Sequence, residues 1–307
     1  MKISGFTFVR NATRYYYPIR ESIQSVLPLV DEFIVALGKG DPGDKTREEI
    51  ESIGSEKVRI LDRVWDEKLF VDGKIYAHET NFALSQCQGD WCFYMQADEV
   101  IHEGDHDTIR RHCSDYLSDA RVDGFLFNYL HFYGDYEHYL PFHGWYKNEI
   151  RIVRNHIGVY SIKDAQSFRK KENEKLNVVA LNARVYHYGW VRPPELMQSK
   201  RKEQDSMYEK WRKKMSVSPP RPKGFDYGPL GRIPRFRGEH PPVMQAFRNR
   251  IYWKDQLNYS RNGKLKRDKF KHEKLKNRVL SFLENTFNGG KEIFGYSNWN
   301  RVKSRTP

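Results

Sequence analysis

The sequence is poor in cysteine, with only Cys87, Cys92 and Cys113 in 307 residues. These cannot build a disulfide framework or a paired CxxC metal site, which suits a reducing compartment and leaves each as a small core residue. Signals for export or membrane insertion are missing too. MKISGFTFVRN has neither the longer apolar stretch nor the small-residue cleavage site of a signal peptide, and no run elsewhere approaches membrane-spanning length. A soluble, cytoplasmic chain is expected. The phosphate-binding signature GxxxxGKS does not occur, so phosphate groups would need a metal. Zinc-finger spacing, RNA-binding aromatic motifs and internal repeats are also lacking, which argues against a specific nucleic-acid module.

Rings and positive charge are plentiful. Aromatic residues make up 14% of the chain, a composition that favours sheet cores and stacking surfaces. The formal charge of +13 points to anionic partners: a nucleotide diphosphate, nucleic acid or an acidic membrane face.

Ile3 to Val9 reads as a strand, followed by Arg10 and Asn11 in a polar turn. Ile19, Ile23, Val26, Leu27 and Val30 recur at helical spacing, with Pro18 near the start and Pro28 near the end. After a second strand, Phe33 to Leu37, comes GKGDPGDKT. Its glycines loosen the backbone, and Asp41 and Asp44 supply acceptors; Asp44 either serves a ligand or caps the polar helix from about Lys45 to Ile53. Val58 to Leu61 makes a third strand and Ile75 to Cys87 a further helix. This alternation predicts an α/β fold with a mostly parallel, Rossmann-like sheet.

The next strand, Trp91 to Met95, is apolar and ends in Asp98 and Glu99. Carboxylates at the carboxyl end of a sheet strand face the crevice where ligands sit and can hold a divalent cation; the alternative is a solvated acidic turn.

FTFVRN, PIRESIQSVLPLVDEFIVALG, GDPGDKT, the helix carrying Asn81, Ala83 and Leu84, and GDWCFYMQADEV follow one another in an order that resembles family-two glycosyltransferases of the GT-A fold. The resemblance covers roughly the first hundred residues. It implies a nucleotide-sugar donor, UDP-linked by preference and GDP-linked as the alternative, with Mg²⁺ or Mn²⁺ against the diphosphate. By position it assigns Asn11, Asp41, Asp44, Asn81, Gln96 and Ala97 to the donor, and Asp98 to the metal, with Glu99 either assisting or capping a following helix. Gln96 stands where the family's first motif Asp would be, and Ala36 and Leu37 where acids are frequent. His187, in RVYHYGWVRPP, falls where many GT-A enzymes return a late metal ligand, and Trp190 and Arg192 are then candidates for diphosphate or acceptor contact.

An inverting transfer needs a carboxylate to take the acceptor hydroxyl's proton. Relatives resembling this chain carry a His-Glu pair after an Arg-rich strand. Here that strand is EIRIVRN, and Lys163-Asp164 is the nearest match, which makes Asp164 the expected base, with Glu149, Asp135 and Glu137 as competitors. Arg151 and Arg154 either neutralise phosphate or decorate the strand.

Pro193-Pro194 suggests a boundary between a catalytic domain, 1–194, and a basic, helical and proline-rich extension, 195–307. Within the first, 1–100 would bind the nucleotide sugar and 101–194 the acceptor. A charged helix is expected from Glu195 to about Met215 and an irregular wrap from Ser216 to Pro242. Near the end, Leu275, Val279, Phe282, Leu283 and Phe287 form a helical stripe, expected to pack on the parent domain or else to rest on an anionic inner membrane face. The function implied is transfer of a sugar to a hydroxyl of a glycan or lipid-linked acceptor during surface polysaccharide synthesis. The alternatives are a non-catalytic sugar-nucleotide binder or a basic nucleic-acid module.

Overall fold

The computed structural model describes residues 1–207, 224–265, 267–289, 292–293, 295 and 297–303. Its centre is one 11-stranded sheet. Strands β1 (Ile3–Val9), β2 (Glu32–Gly38), β3 (Val58–Arg63) and β4 (Trp91–Tyr94) pair in parallel in the order β3-β2-β1-β4. The apolar runs of β1, β2 and β4 are buried on both faces because helices cover the sheet on either side, whereas β3, at the edge, is only half-buried. Helices α1 (Ile19–Val26), α2 (Thr46–Glu51) and α3 (Lys74–Ser85) make the crossovers.

The fold class is therefore the α/β, mostly parallel architecture expected from the strand and helix alternation. Alternation along β4 sorts its side chains between two cores. Trp91 and Phe93 join Ile19 and Ile23 of α1, while Cys92 and Tyr94 join Ala83 and Leu84 of α3. All three cysteines are buried and free.

After β4 the chain makes a three-residue strand, β5 (Glu99–Ile101), and then α4 (His106–Asp115). Glu99 thus opens a strand, and the helix-capping role considered for it is ruled out. Strands β6 (Gly124–Tyr133) and β7 (Asn148–Arg154) extend the sheet, β7 running antiparallel between β4 and β6. This direction puts the start of β7 beside the carboxyl end of β4. A small antiparallel pair, β8 (Tyr160–Ile162) and β9 (Ser167–Lys170), leads into β10 (Glu174–Trp190). The strand read around residues 184–190 is the end of this 17-residue strand, which pairs in parallel with β6 and antiparallel with β5.

Beyond β10 lies α5 (Pro194–Met207); the rest of the expected helix, and the proline-rich stretch to residue 223, lie outside the described residues. Phe225, Tyr227, Leu230, Met244, Phe247 and Trp253 then pack on Phe132, Tyr133, Tyr186 and Tyr188 to form a third core. Helix α6 (Leu275–Phe287) and strand β11 (Trp299–Arg301) follow, β11 pairing with the start of β10. The apolar stripe of α6 does not pack as expected: Leu275, Phe282 and Phe287 are 75%, 62% and 76% exposed.

Candidate active site

A cavity of about 460 Å³ opens at the carboxyl ends of β1 and β4. Six parts of the chain meet there because of the topology. Asn11 follows β1, and Gln96, Ala97 and Asp98 follow β4. Glu149 and Arg151 come from the start of antiparallel β7, and His187 and Trp190 from the end of β10, while Asp164 and Gln166 come from the β8–β9 turn and Lys200 and Glu203 from α5.

Asp98 is 8% exposed. Its Oδ2 lies 3.8 Å from His187 Nε2 and 3.7 Å from Lys200 Nζ. Burial opposes ionisation, but His187, Lys200 and Arg192 together outweigh it and hold the Asp98 carboxyl below its ordinary range.

The proton positions on the neighbouring histidines follow from their partners. His131 Nε2 sits 2.7 Å from the Tyr146 carbonyl, which can only accept, so this nitrogen carries the proton. Burial above all, with help from His187, lowers the pKa of His131 to about 3; the ring is neutral and its Nδ1 is an acceptor. The Nδ1 of His187, 3.0 Å away, must then donate. His187 is itself pushed down to about 4 by burial, against the pull of Asp98, so its Nε2 keeps a lone pair on the Asp98 side.

Gly189 leaves room between these two donors. A side-chain carbon there would come within 2.6 Å of both Asp98 Oδ2 and His187 Nε2. Asp98 Oδ2 and His187 Nε2, 3.8 Å apart, are an oxygen and a nitrogen donor close enough for one Mg²⁺ or Mn²⁺ ion, with bonds of about 2.0–2.2 Å, to reach both. No cluster of three or more His, Cys, Asp or Glu able to hold a metal occurs among the described residues. A cation here would depend on diphosphate and water for its other ligands.

Glu99 is not part of this arrangement. Asp98 lines the cavity and Glu99, the first residue of β5, does not; Glu99 is fully buried. Arg151 Nε and Nη2 donate to its two oxygens at 2.8 and 2.7 Å, and the Tyr129 hydroxyl donates at 2.7 Å. The metal role expected for Glu99 is replaced by an ion pair that fixes Arg151 at the cavity wall.

Asp164 sits between two left-handed residues, Lys163 (φ 56°) and Ala165 (φ 60°), an uncommon backbone for side chains branched at Cβ or larger than glycine. The turn presents it to the cavity together with Glu149. Glu149 is 5% exposed, and its Oε2 meets no hydrogen-bond donor among the described residues. Burial first, then the charges of Glu99 and Asp164, push its pKa up to about 8 against the opposing effect of Arg151.

Other expected residues lie elsewhere. Asp41 and Asp44 line a second depression, about 420 Å³, with Arg47, Asp62 and Arg63. Asp41 pairs with Arg10 and Arg14, and its backbone N–H donates to Asn11 Oδ1 at 2.8 Å. Asp44 accepts from the Thr13 hydroxyl at 2.6 Å and from the Thr46 N–H, tying the turn after β1 to the loop after β2. Gly38, Gly40 and Gly43 have GxGxxG spacing, but these carboxylates make the loop a poor anion cradle.

Asn81 is absent from the cavity. Its amide clamps α3 to β8, accepting from Ser161 N at 2.6 Å and donating to Ser161 O at 3.1 Å. Arg192 and Arg154 spend their guanidinium groups on backbone carbonyls, and the Asp135 carboxylate accepts from His138. Sequence reasoning missed Lys200, whose only signal was one charge among many on α5, and His131, hidden in an aromatic strand.

No family model matches this chain. No curated protein matches it either. Among solved structures it is similar to S. aureus TarS, with a TM-score of 0.40, 16% identity, and coverage of 65% of this chain and 38% of that one. It is also similar to TarS 1–349 in complex with UDP-GlcNAc, with a TM-score of 0.31, 20% identity and coverage of 42% and 34%. A third is glucosyl-3-phosphoglycerate synthase from Mycobacterium tuberculosis in complex with Mn²⁺, UDP and phosphoglyceric acid, with a TM-score of 0.29, 18% identity and 43% of each chain covered. The chain spans less than half the length of each of these structures, and likeness at this level assigns no residue a role.

Proposed function

We propose that the protein is a family-two-like, GT-A type glycosyltransferase that moves a sugar from a nucleotide-diphosphate donor to a hydroxyl of a glycan or lipid-linked acceptor, with inversion. The observation that carries this reading is the gap at Gly189, flanked by Asp98 and the unprotonated Nε2 of His187, in one cavity with two carboxyl groups, Asp164 and Glu149.

Asp98 and His187 would hold Mg²⁺ or Mn²⁺, which when bound supplies charge neutralisation to the departing diphosphate. Lys200, 3.7 Å from Asp98, adds positive charge beside the same position. Asp164 accepts the proton of the acceptor hydroxyl as its oxygen attacks the anomeric carbon. Glu149, with its raised pKa, stays protonated at neutral pH and donates a hydrogen bond to the sugar or acceptor. Asn11, at the rim between the cavity and the acidic loop, would bring the base and ribose against Asp41 and Asp44. Residues 1–100 would then serve mainly the donor and 101–194 the acceptor, with α5 of the 195–307 extension closing the wall.

Calorimetric titration of UDP and GDP with and without Mn²⁺ tests the donor site. The expected result is binding that needs the metal and favours UDP; no nucleotide binding under either condition would sink the reading. Asp164→Asn should lower kcat at least about a hundredfold while leaving the donor Kd unchanged. If neither wild type nor variant turns over any donor while nucleotide still binds, the chain is a sugar-nucleotide binder. Gln96, in place of an acid, is the residue that favours this second reading.

A further inference from the structure

Helix α6 is mounted inside out. Its polar residues face the protein: Ser281 and Glu284 are buried, and the Ser281 hydroxyl accepts from the His143 N–H at 2.8 Å. Glu284 accepts from Lys147 Nζ at 2.8 Å and pairs with His143 Nδ1 at 2.7 Å. The opposite face turns Leu275, Val279, Phe282, Leu283 and Phe287 to solvent. A helix in water normally does the reverse, because exposing such a stripe forfeits the stabilisation that burying its large apolar side chains would give.

Positive charge is concentrated in the sequence at and just before the leading end of this stripe. Lys264, Lys269, Lys271, Lys274, Lys276 and Arg278 are all exposed. An apolar strip flanked by lysines matches a bilayer interface, where the side chains enter the headgroup and acyl boundary and the ammonium groups meet anionic lipids. A second copy of the chain fits less well, since pairing through this face would cover the stripe but offer the lysines at its leading end no anionic partner. The helix is 13 residues long, about 20 Å, and no helix among the described residues is long and apolar enough to cross a membrane.

We infer that α6 is a peripheral docking helix that seats the protein on an anionic membrane surface. The assignment goes beyond sugar transfer and does not depend on it. If the cavity is the transferase site proposed above, the docking also orients it, because Tyr146 of the His143–Lys147 segment held by α6 lines the cavity.

Co-sedimentation of the full chain with phosphatidylcholine vesicles, with and without phosphatidylglycerol, tests this without any nucleotide. Binding should need phosphatidylglycerol, weaken in high salt, and fall about tenfold or more in Phe282→Ser/Phe287→Ser. Lys269→Glu/Lys276→Glu should weaken it as well. All four positions are exposed, and unchanged circular-dichroism melting would show that the variants fold. The inference is overturned if wild type ignores anionic vesicles or if the Phe282→Ser/Phe287→Ser variant binds them as well as wild type. A concentration-dependent dimer abolished by that variant, without vesicle binding, overturns it in favour of a second copy.

Discussion

Two depressions of similar size sit near the ends of the first strands, about 460 and about 420 Å³, and both are lined with carboxylates. They differ in what those carboxylates have left to give. Around Asp41 and Asp44 the acids already accept from Arg10, Arg14 and Thr13, which holds two loops together and leaves them only hydrogen-bonding capacity for a base or ribose. In the larger cavity Asp98 faces a gap and Glu149 keeps an oxygen without a donor. Buried polar atoms without partners are costly, so the larger cavity is the one built to receive something.

Substitutions can break this comparison. Asp98→Asn should have the largest effect, abolishing metal-dependent nucleotide binding and cutting kcat/KM at least about a hundredfold, while Asp41→Asn should not. Steady-state kinetics at several Mn²⁺ concentrations would check both; equal losses would erase the distinction between the two depressions.

Glu99→Gln should show the next largest effect, on stability rather than metal affinity. Breaking one side of a buried ion pair costs about 3–5 kcal/mol, read as a lower midpoint in denaturant unfolding. A Glu99→Gln variant that keeps its stability and loses metal would return Glu99 to the ligand set.

Glu149 gives a pH signature. Its folded pKa, about 8, lies above the ordinary carboxyl value, so between roughly pH 4.5 and 8 the native state holds a proton that the unfolded chain releases. Stability from this group is complete below that window, declines as pH rises through it, and is lost above pH 8. Glu149→Gln should flatten that slope, by at most about 1.4 kcal/mol per pH unit. Denaturant unfolding across the window would show it, and parallel curves for the two proteins would refute it.

Asp41→Asn is the mildest. It removes partly exposed pairs with Arg10 and Arg14, worth about 1 kcal/mol or less, and weakens the donor Kd a few-fold with kcat unchanged.

The strands and helices of the first hundred residues were legible because each is a short apolar run or a periodic stripe between turn residues. The candidate site was legible in part. Asn11, Gln96, Ala97, Asp98, Asp164, His187 and Trp190 do reach one cavity. Glu99 was misplaced because its direction depends on β5 being a strand, and three residues between two turns carry too little pattern to show it. Asn81 was assigned to the donor through its helix, but its partner is the backbone of Ser161, far along the chain. The orientation of α6 could not be read from its stripe, since the contacts that decide it are ion pairs from Glu284 to His143 and Lys147.

The histidine pair has a thermodynamic consequence. With His131 fixing the proton of His187 on Nδ1, and Asp98 held ionised, both donors at the Gly189 gap are already deprotonated near neutral pH. A cation arriving there displaces no proton, so its capture should release nothing to the buffer. Its measured binding enthalpy should then be independent of the buffer's ionisation heat, in contrast to sites that must strip protons from their ligands.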